Sequence, residues 1–287
     1  QLLSAQGRST EALSALESIV SLSPSGDDRL LELAYLYSAL GRPKDSIRTE
    51  TAYFEGRLAK TGSDADRMEL AQRYVWGARF DKAVDLYREL ISRGGPRPEL
   101  IKALVQALQS GGRYGEAADA QATLARSDER DDLLWQLQMA ASRYESARDL
   151  ASGHVELDPR SNLWWDRAWQ STLALSGLSD QQRFEQLQDL VGDRLLTGDR
   201  LRTMADLALY ARDVTEAIAL REQIQAQNGV TPSLDAELFD LYNQTGQPER
   251  AHLVGVYGLG KCQRVLKVLR QAGFDRPVYL HTALVGL

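Results

Sequence analysis

Apolar residues along this chain recur at helical spacing. Leu30, Leu33, Ala34 and Tyr37 form one stripe, Leu70, Ala71 and Tyr74 a second, and Ile101, Leu104, Val105 and Leu108 a third. Steps of three and four residues place each set on one face of an α-helix. Between the stripes lies a short motif that returns along the chain. Gly7-Arg8-Ser9-Thr10-Glu11-Ala12 is followed by Gly41-Arg42-Pro43-Lys44-Asp45-Ser46, Ala78-Arg79-Phe80-Asp81-Lys82-Ala83 and Gly112-Arg113-Tyr114-Gly115-Glu116-Ala117. Ala211-Arg212-Asp213-Val214-Thr215-Glu216-Ala217 and Gly246-Gln247-Pro248-Glu249-Arg250-Ala251 continue the series. The small residues Ala12, Ser46, Ala83, Ala117, Ala217 and Ala251 stand 34, 37, 34, 100 and 34 positions apart. The long interval has room for two further units, one around Tyr144-Glu145-Ser146-Ala147 and one between Trp164 and Arg194.

Each unit therefore reads as a leading helix, a turn holding Gly or Ala, and a second helix. The small residues let the paired helices approach closely, and Phe80, Tyr114 or Tyr144 plugs the junction. Pro24 and Pro159 close their units, because proline cannot continue a helix. Repetition at this period marks a stacked repeat architecture. The pattern resembles the tetratricopeptide repeat over residues 1–251. Its aromatic or leucine, small-residue and tyrosine series is best kept in Leu30 to Tyr37; the unit holding Trp164, Trp165, Trp169 and Phe184 keeps almost none of it. The expected fold is all-α: a right-handed superhelical solenoid of about eight helix pairs, with a short atypical C-terminal helix-strand tail at 252–287.

The resemblance implies a non-enzymatic scaffold that binds other proteins, since repeat solenoids carry surfaces rather than chemistry. In that family the first helix of each pair lines the concave surface. Side chains one turn from the packed stripe would then form a partner-binding groove: Tyr35, Gln72, Trp76, Gln106, Gln109, Arg202, Asp206, Tyr210, Asp240 and Asn243. The alternative for each is solvated surface. Trp76 and Tyr210 stand out, because aromatic side chains are enriched at binding hot spots. Trp164, Trp165 and Trp169 have the spacing of packing residues rather than of a sugar-stacking platform.

Charge narrows the partner. The chain of 287 residues carries 34 Lys and Arg against 40 Asp and Glu, a net charge of -6. From Ala251 onward there are five basic residues and one acid, so residues 1–250 hold 29 basic against 39 acidic residues and a charge of -10. An acidic array attracts cationic partners and argues against a nucleic-acid surface. Units of the Leu70 to Ala83 type look like those of bacterial envelope proteins for exopolysaccharide export, such as Pel-type outer-membrane porins with a periplasmic repeat domain. That likeness implies a periplasmic scaffold for a polysaccharide-modifying enzyme or for the polymer itself, a cationic amino-sugar polymer suiting an acidic groove; a cytoplasmic location is the alternative. The sequence starts without methionine and as if within a helix, which suggests a piece of a longer protein. No apolar run of about 18 residues is present to span a bilayer.

The tail departs from the pattern. Gly255-Val256-Tyr257-Gly258-Leu259-Gly260-Lys261 has the glycine frame of a phosphate loop, but Cys262 replaces the hydroxyl that would hold magnesium and too few residues follow for a nucleotide-binding sheet. Gln263 to Gln271 reads as a basic amphipathic helix, and Val278 to His281 as a strand. The stretch from Val256 to Leu287 resembles a segment of β-CASP metallo-β-lactamase-fold exonucleases, which implies a nuclease-related alternative. Those enzymes need clustered His and Asp ligands, whereas His154, His252 and His281 are scattered. The tail would then be a capping element, a natural rearrangement or a foreign fragment. The one cysteine excludes an intramolecular disulfide and a thiolate metal cluster. No catalytic residue, metal or cofactor is expected, and the carboxylates are read as solvated charge on helix surfaces.

Overall fold

Serine, threonine and proline mark where first helices start, and one recurring turn marks where they end. The computed structural model describes residues 9–21, 28–229, 231–247, 250, 267–271 and 273. Fourteen helices lie among the described residues through 247, namely α1 (Ser9–Ser21), α2 (Arg29–Ala39), α3 (Pro43–Thr61), α4 (Asp64–Trp76), α5 (Phe80–Gly94), α6 (Pro98–Ser110) and α7 (Tyr114–Ala122). They continue as α8 (Asp128–Ala140), α9 (Tyr144–Leu157), α10 (Asn162–Ala174), α11 (Asp180–Val191), α12 (Gly198–Tyr210), α13 (Val214–Asn228) and α14 (Pro232–Gln244). They read as the helix pairs α2/α3, α4/α5, α6/α7, α8/α9 and α12/α13, with α1 a second helix before them and α10 and α14 first helices.

The first helices α2, α4, α6, α8, α12 and α14 all end in the same turn. In the α4 turn the Gly77 N–H donates to the Arg73 carbonyl, Ala78 to Val75 and Arg79 to Tyr74. The same three bonds recur at Leu40-Gly41-Arg42, Gly111-Gly112-Arg113, Ala141-Ser142-Arg143, Ala211-Arg212-Asp213 and Thr245-Gly246-Gln247. The middle residue adopts a left-handed backbone, φ running from 55° at Ala78 to 73° at Gly112. That conformation lets the last carbonyls of the helix find donors before the chain reverses. Starts are equally local: the hydroxyls of Ser63, Ser127, Ser161 and Thr231 each accept a backbone N–H three residues on.

The predicted stripes are the core: Leu30, Leu33, Ala34, Tyr37, Leu70, Ala71, Tyr74, Ile101, Leu104, Val105 and Leu108 are all buried. The small residue in the first turn of each second helix is buried as expected, from Ala12 and Ser46 to Ala83, Ala117, Ala147 and Ala217, the last four at 0% exposure. Phe80, Tyr114 and Tyr144 open their helices half-buried. Phe80 lies against the turn of the next unit, where a Cβ on Gly111 would come 3.1 Å from its own. Trp164, Trp165 and Trp169 are buried.

The chain divides into two compact units, Gln1–Ser176 and Gly177–Leu287. In the first, each helix from α1 to α10 packs on the next in sequence, and one apolar core runs from Leu30 to Leu137. In the second, α11 packs on α12, α12 on α13 and α13 on α14. The division falls inside the expected 1–251 solenoid, and the expected boundary at 251/252 lies outside the described residues. So do the glycine frame from Gly255 to Lys261, Cys262, the strand Val278 to His281, His252 and His281. Of the expected helix Gln263 to Gln271, residues 267–271 are described and are helical.

One repeat interval is short: the left-handed residues Gly112 and Ser142 stand 30 positions apart. The missing turn is in α7, which has 9 residues against 15 in α5. Arg130 and Gln121 fix the tightened junction, the guanidinium donating to the Ala122 carbonyl at 2.7 Å and the Gln121 amide to the Arg130 carbonyl at 3.2 Å.

The reading of the carboxylates as solvated charge needs correction at Asp66 and Asp131, and three arginines are buried with them. Asp66, Asp131, Arg67, Arg167 and Arg221 are buried. Burying a charge requires partners, and these have them. Asp66 accepts from Thr61 at 2.5 Å and Ser63 at 2.9 Å and faces Arg57 at 3.0 Å. The Thr61 hydroxyl, ahead of Ser63 and Arg57, holds its carboxyl below the usual range.

Candidate partner-binding face

The shared turn gives the first helices a common register. Six residues before the left-handed position stand Tyr35 in α2, Gln72 in α4, Gln106 in α6 and Gln136 in α8 of the first unit. The same position in the second unit holds Asp206 in α12 and Asp240 in α14. Because the turn geometry is the same each time, these residues take equivalent places on their helices. Positions ten, six and three residues before the turn fall on one helical face. In the first unit that face reads Leu31, Tyr35, Ser38; Met68, Gln72, Val75; Lys102, Gln106, Gln109; and Asp132, Gln136, Met139.

Tyr35 is 74% exposed, Trp76 57% and Tyr210 66%. Gln106, Gln109, Arg202, Asp206, Asp240 and Asn243 are exposed, and Gln72 is half-buried. Trp76 is exposed yet fixed. The Arg73 guanidinium lies 4.5 Å from its ring centre, and the same guanidinium packs 5.0 Å from Phe54. Glu50 and Glu69 hold Arg73 at 2.7 and 2.8 Å. A cation–π contact clamped by two carboxylates leaves the indole little freedom to lose on binding a partner.

Charge is distributed unlike the sum over the chain. Among the twelve positions named for the first unit's face, Lys102 and Asp132 are the charged ones. Acids stand on both helices of the pairs, Glu32, Asp64, Glu69, Glu99 and Asp128 on first helices among them; on the second helices Glu116 takes Arg113 at 2.7 Å and Arg88 at 2.5 Å, and Asp119 takes Arg143 at 2.5 Å. Arg113 before Arg88 pulls the Glu116 carboxyl down to about 2. Tyr35, Gln72, Gln106 and Gln136 give this row an aromatic and amide character, with carboxylates at neighbouring positions such as Glu32 and Glu69.

In the second unit Asp206 is tied to the packing. The buried Arg221 donates to Asp206 at 2.9 Å, to Glu237 at 3.0 Å and to the Ala205 carbonyl at 2.8 Å. It floors a cleft of about 360 Å³ lined also by Arg202, Asn228 and Ser233. Arg202 faces Asp199 at 3.8 Å.

Gln136, Asp132 and Met139 of α8 belong to the same face and were not singled out from sequence. The signal was present in Ala141-Ser142-Arg143, whose serine hides a glycine-type turn. Beneath them lies a stack that spacing alone did not show. His154 lies on Trp164 with ring centres 3.8 Å apart, and Arg167 lies 4.4 Å from Trp164 and 5.1 Å from Trp135. His154 Nε2 is 2.9 Å from the buried Asp131, which also meets Arg130, and Arg167 is paired with Asp132. The stack ties α8, α9 and α10 together. Among the described residues no group of three or more His, Cys, Asp or Glu is placed to hold a metal, and no helix is long and apolar enough to cross a membrane.

No protein-family model matches the chain, and no curated protein matches it in sequence. Among solved structures it is similar to the C-terminal part of a TPR repeat-containing protein from Cytophaga hutchinsonii, with 15% identity and a TM-score of 0.37 over 83% of this chain and 97% of that one. A tetratricopeptide repeat protein from Parabacteroides merdae matches at 12% identity and a TM-score of 0.35, covering 83% and 94%. A chain in the structure of Naa15/Naa10 bound to HypK-THB matches at 12% identity and a TM-score of 0.37, covering 87% of this chain and 55% of that one. The helix-pair architecture stands on the chain's own turns and packing.

Proposed function

We propose that this chain is a non-enzymatic tetratricopeptide-type scaffold that binds another protein along the exposed face of its first helices, within a bacterial envelope assembly for exopolysaccharide synthesis or export. The observation that carries the binding reading is the face around Trp76: an exposed indole held against the Arg73 guanidinium, beside the row of Tyr35, Gln72, Gln106 and Gln136. An ordered aromatic anchor is the kind of group that dominates binding energy. The envelope setting is supported by the likeness of Leu70 to Ala83 to export-protein repeats, and it implies a periplasmic location. A polysaccharide-modifying enzyme is the partner this setting favours.

The test uses the immobilised chain and envelope extract from a polysaccharide-producing bacterium, followed by titration of the protein retained. Trp76→Ala is expected to weaken retention by about tenfold or more, as loss of a hot-spot aromatic of roughly 2 kcal/mol does. Binding unchanged in Trp76→Ala and Tyr35→Ala would remove the face from consideration. Metal-dependent DNA hydrolysis by the purified chain would overturn the scaffold reading.

A further inference from the structure

Asn228 and Gly229 close α13, and their order sets up a reaction between them. Of the three asparagines in the chain, Asn162 precedes Leu163, Asn243 precedes Gln244, and Asn228 precedes glycine. Gly229 stops the helix at φ 82°, a backbone that glycine enters without strain. α3 and α5 likewise stop at positive φ, at Gly62 and Gly95, but Thr61 and Gly94 stand before those glycines. Among the described helices, α13 is the one whose stop sets a side-chain amide beside a backbone nitrogen that no Cβ shields. Both residues are exposed. The Gly229 N–H donates to the Gln225 carbonyl at 2.9 Å. That is the terminal bond of the helix, the kind that frays first.

We infer that Asn228 is a site of spontaneous deamidation, through which the second unit changes with age. Once the terminal bond opens, the Gly229 nitrogen gives its proton to base and attacks the side-chain carbonyl carbon of Asn228. The new C–N bond closes a cyclic imide, and the side-chain nitrogen takes up a proton and leaves as ammonia. Water, the one co-reactant, then opens the imide at either carbonyl. Opening at the side-chain carbonyl gives aspartate. Opening at the main-chain carbonyl gives isoaspartate, in which the chain runs on through the former side chain. Either product puts a carboxylate where an amide stood. The charge falls at the C-terminal end of α13, against the macrodipole, and in the cleft that Asp206 and Glu237 already line. Isoaspartate also lengthens the main chain by one carbon, three residues ahead of Thr231, whose hydroxyl caps α14. Both changes loosen the start of α14.

The test holds the purified, intact chain in warm, mildly alkaline buffer, digests samples over time and locates any amide-to-acid mass gain by peptide fragmentation, with isoaspartate measured on the same samples by enzymatic methylation. The gain is expected at Asn228, faster at higher pH, while Asn162 and Asn243 keep their mass over the same period. Asn228→Gln should abolish the gain and the isoaspartate signal. Aged wild type should show faster native-state hydrogen exchange in α14 than fresh protein, and Asn228→Gln held for the same time should not. No gain at Asn228, or an equal gain at all three asparagines, would overturn the site. Conversion in urea with none in the native chain would overturn it too, because the end of α13 would then be held shut. A gain at Asn228 with unchanged exchange in α14 would overturn the consequence for the second unit.

Discussion

At the left-handed turn position Gly41, Gly112 and Gly246 meet Ala78, Ser142 and Arg212, and the backbone is the same in all six. Glycine adopts this conformation freely, whereas a Cβ there crowds the following carbonyl. A Cβ built on Gly112 would meet nothing within 4 Å, so Gly112→Ala isolates the backbone term. With strain of about 1–2 kcal/mol set in each case against the roughly 0.4–1 kcal/mol of extra freedom that glycine has in the unfolded chain, Gly112→Ala should destabilise by about 0.5–1 kcal/mol and Ala78→Gly should stabilise by a similar amount. Urea midpoints followed by circular dichroism measure both, and a destabilised Ala78→Gly would contradict this account. The motif from which the repeat was read thus contains two kinds of small residue with different reasons. The one at the turn is small for its φ, the one in the next helix for its packing. Where the turn residue is serine or arginine, composition conceals the role and only the hydrogen bonds show it.

Between helices, a tyrosine four residues before the turn reaches back to the second helix of the preceding unit. Tyr37 donates to Glu17 at 2.7 Å, Tyr74 to Glu55 at 2.7 Å, and Tyr242 to Glu222. Burial first, and then the carboxylate, raises all three phenols, Tyr74 and Tyr242 to about 12. An unfolded tyrosine titrates near 10. Above that pH the unfolded state releases its proton first, so the contribution of Tyr74 to stability is whole below about pH 10 and is lost as pH rises toward about 12. Tyr74→Phe should cost about 1 kcal/mol near pH 8, and the gap to wild type should narrow near pH 11; a constant gap in urea midpoints would rule the linkage out. The tyrosines were legible as members of apolar stripes, but not as donors, because the acceptor lies about 20 residues upstream in another helix. Buried charges escaped for the same reason: Asp131 is partnered by a histidine 23 residues on and Arg167 by an aspartate 35 residues back. Candidate face residues were named on helices closed by glycine, alanine or, at Arg212, arginine turns, and those of α8 were not, where a serine stands.

For the molecule, the first unit's connectivity matters more than its length, since each helix packs on its sequence neighbours. Stability in such an array is a sum of local terms and nearest-neighbour interfaces. Leu108→Ala, at a site 1% exposed in α6, should cost about 2–5 kcal/mol but spend it locally. Native-state hydrogen exchange should speed up in α5, α6 and α7 and stay unchanged in α1 and α2; a uniform rise would mean the unit opens as one body. The shared turn carries one more implication. Gly112 and Ala78 are each followed by arginine, with the same three backbone bonds on either side, so the stretch from Arg79 to Gly112 begins and ends on interchangeable seams. A gene encoding that stretch twice would keep reading frame, register and cap chemistry at every join. The array can grow by whole cassettes, each adding one helix pair and one capped turn.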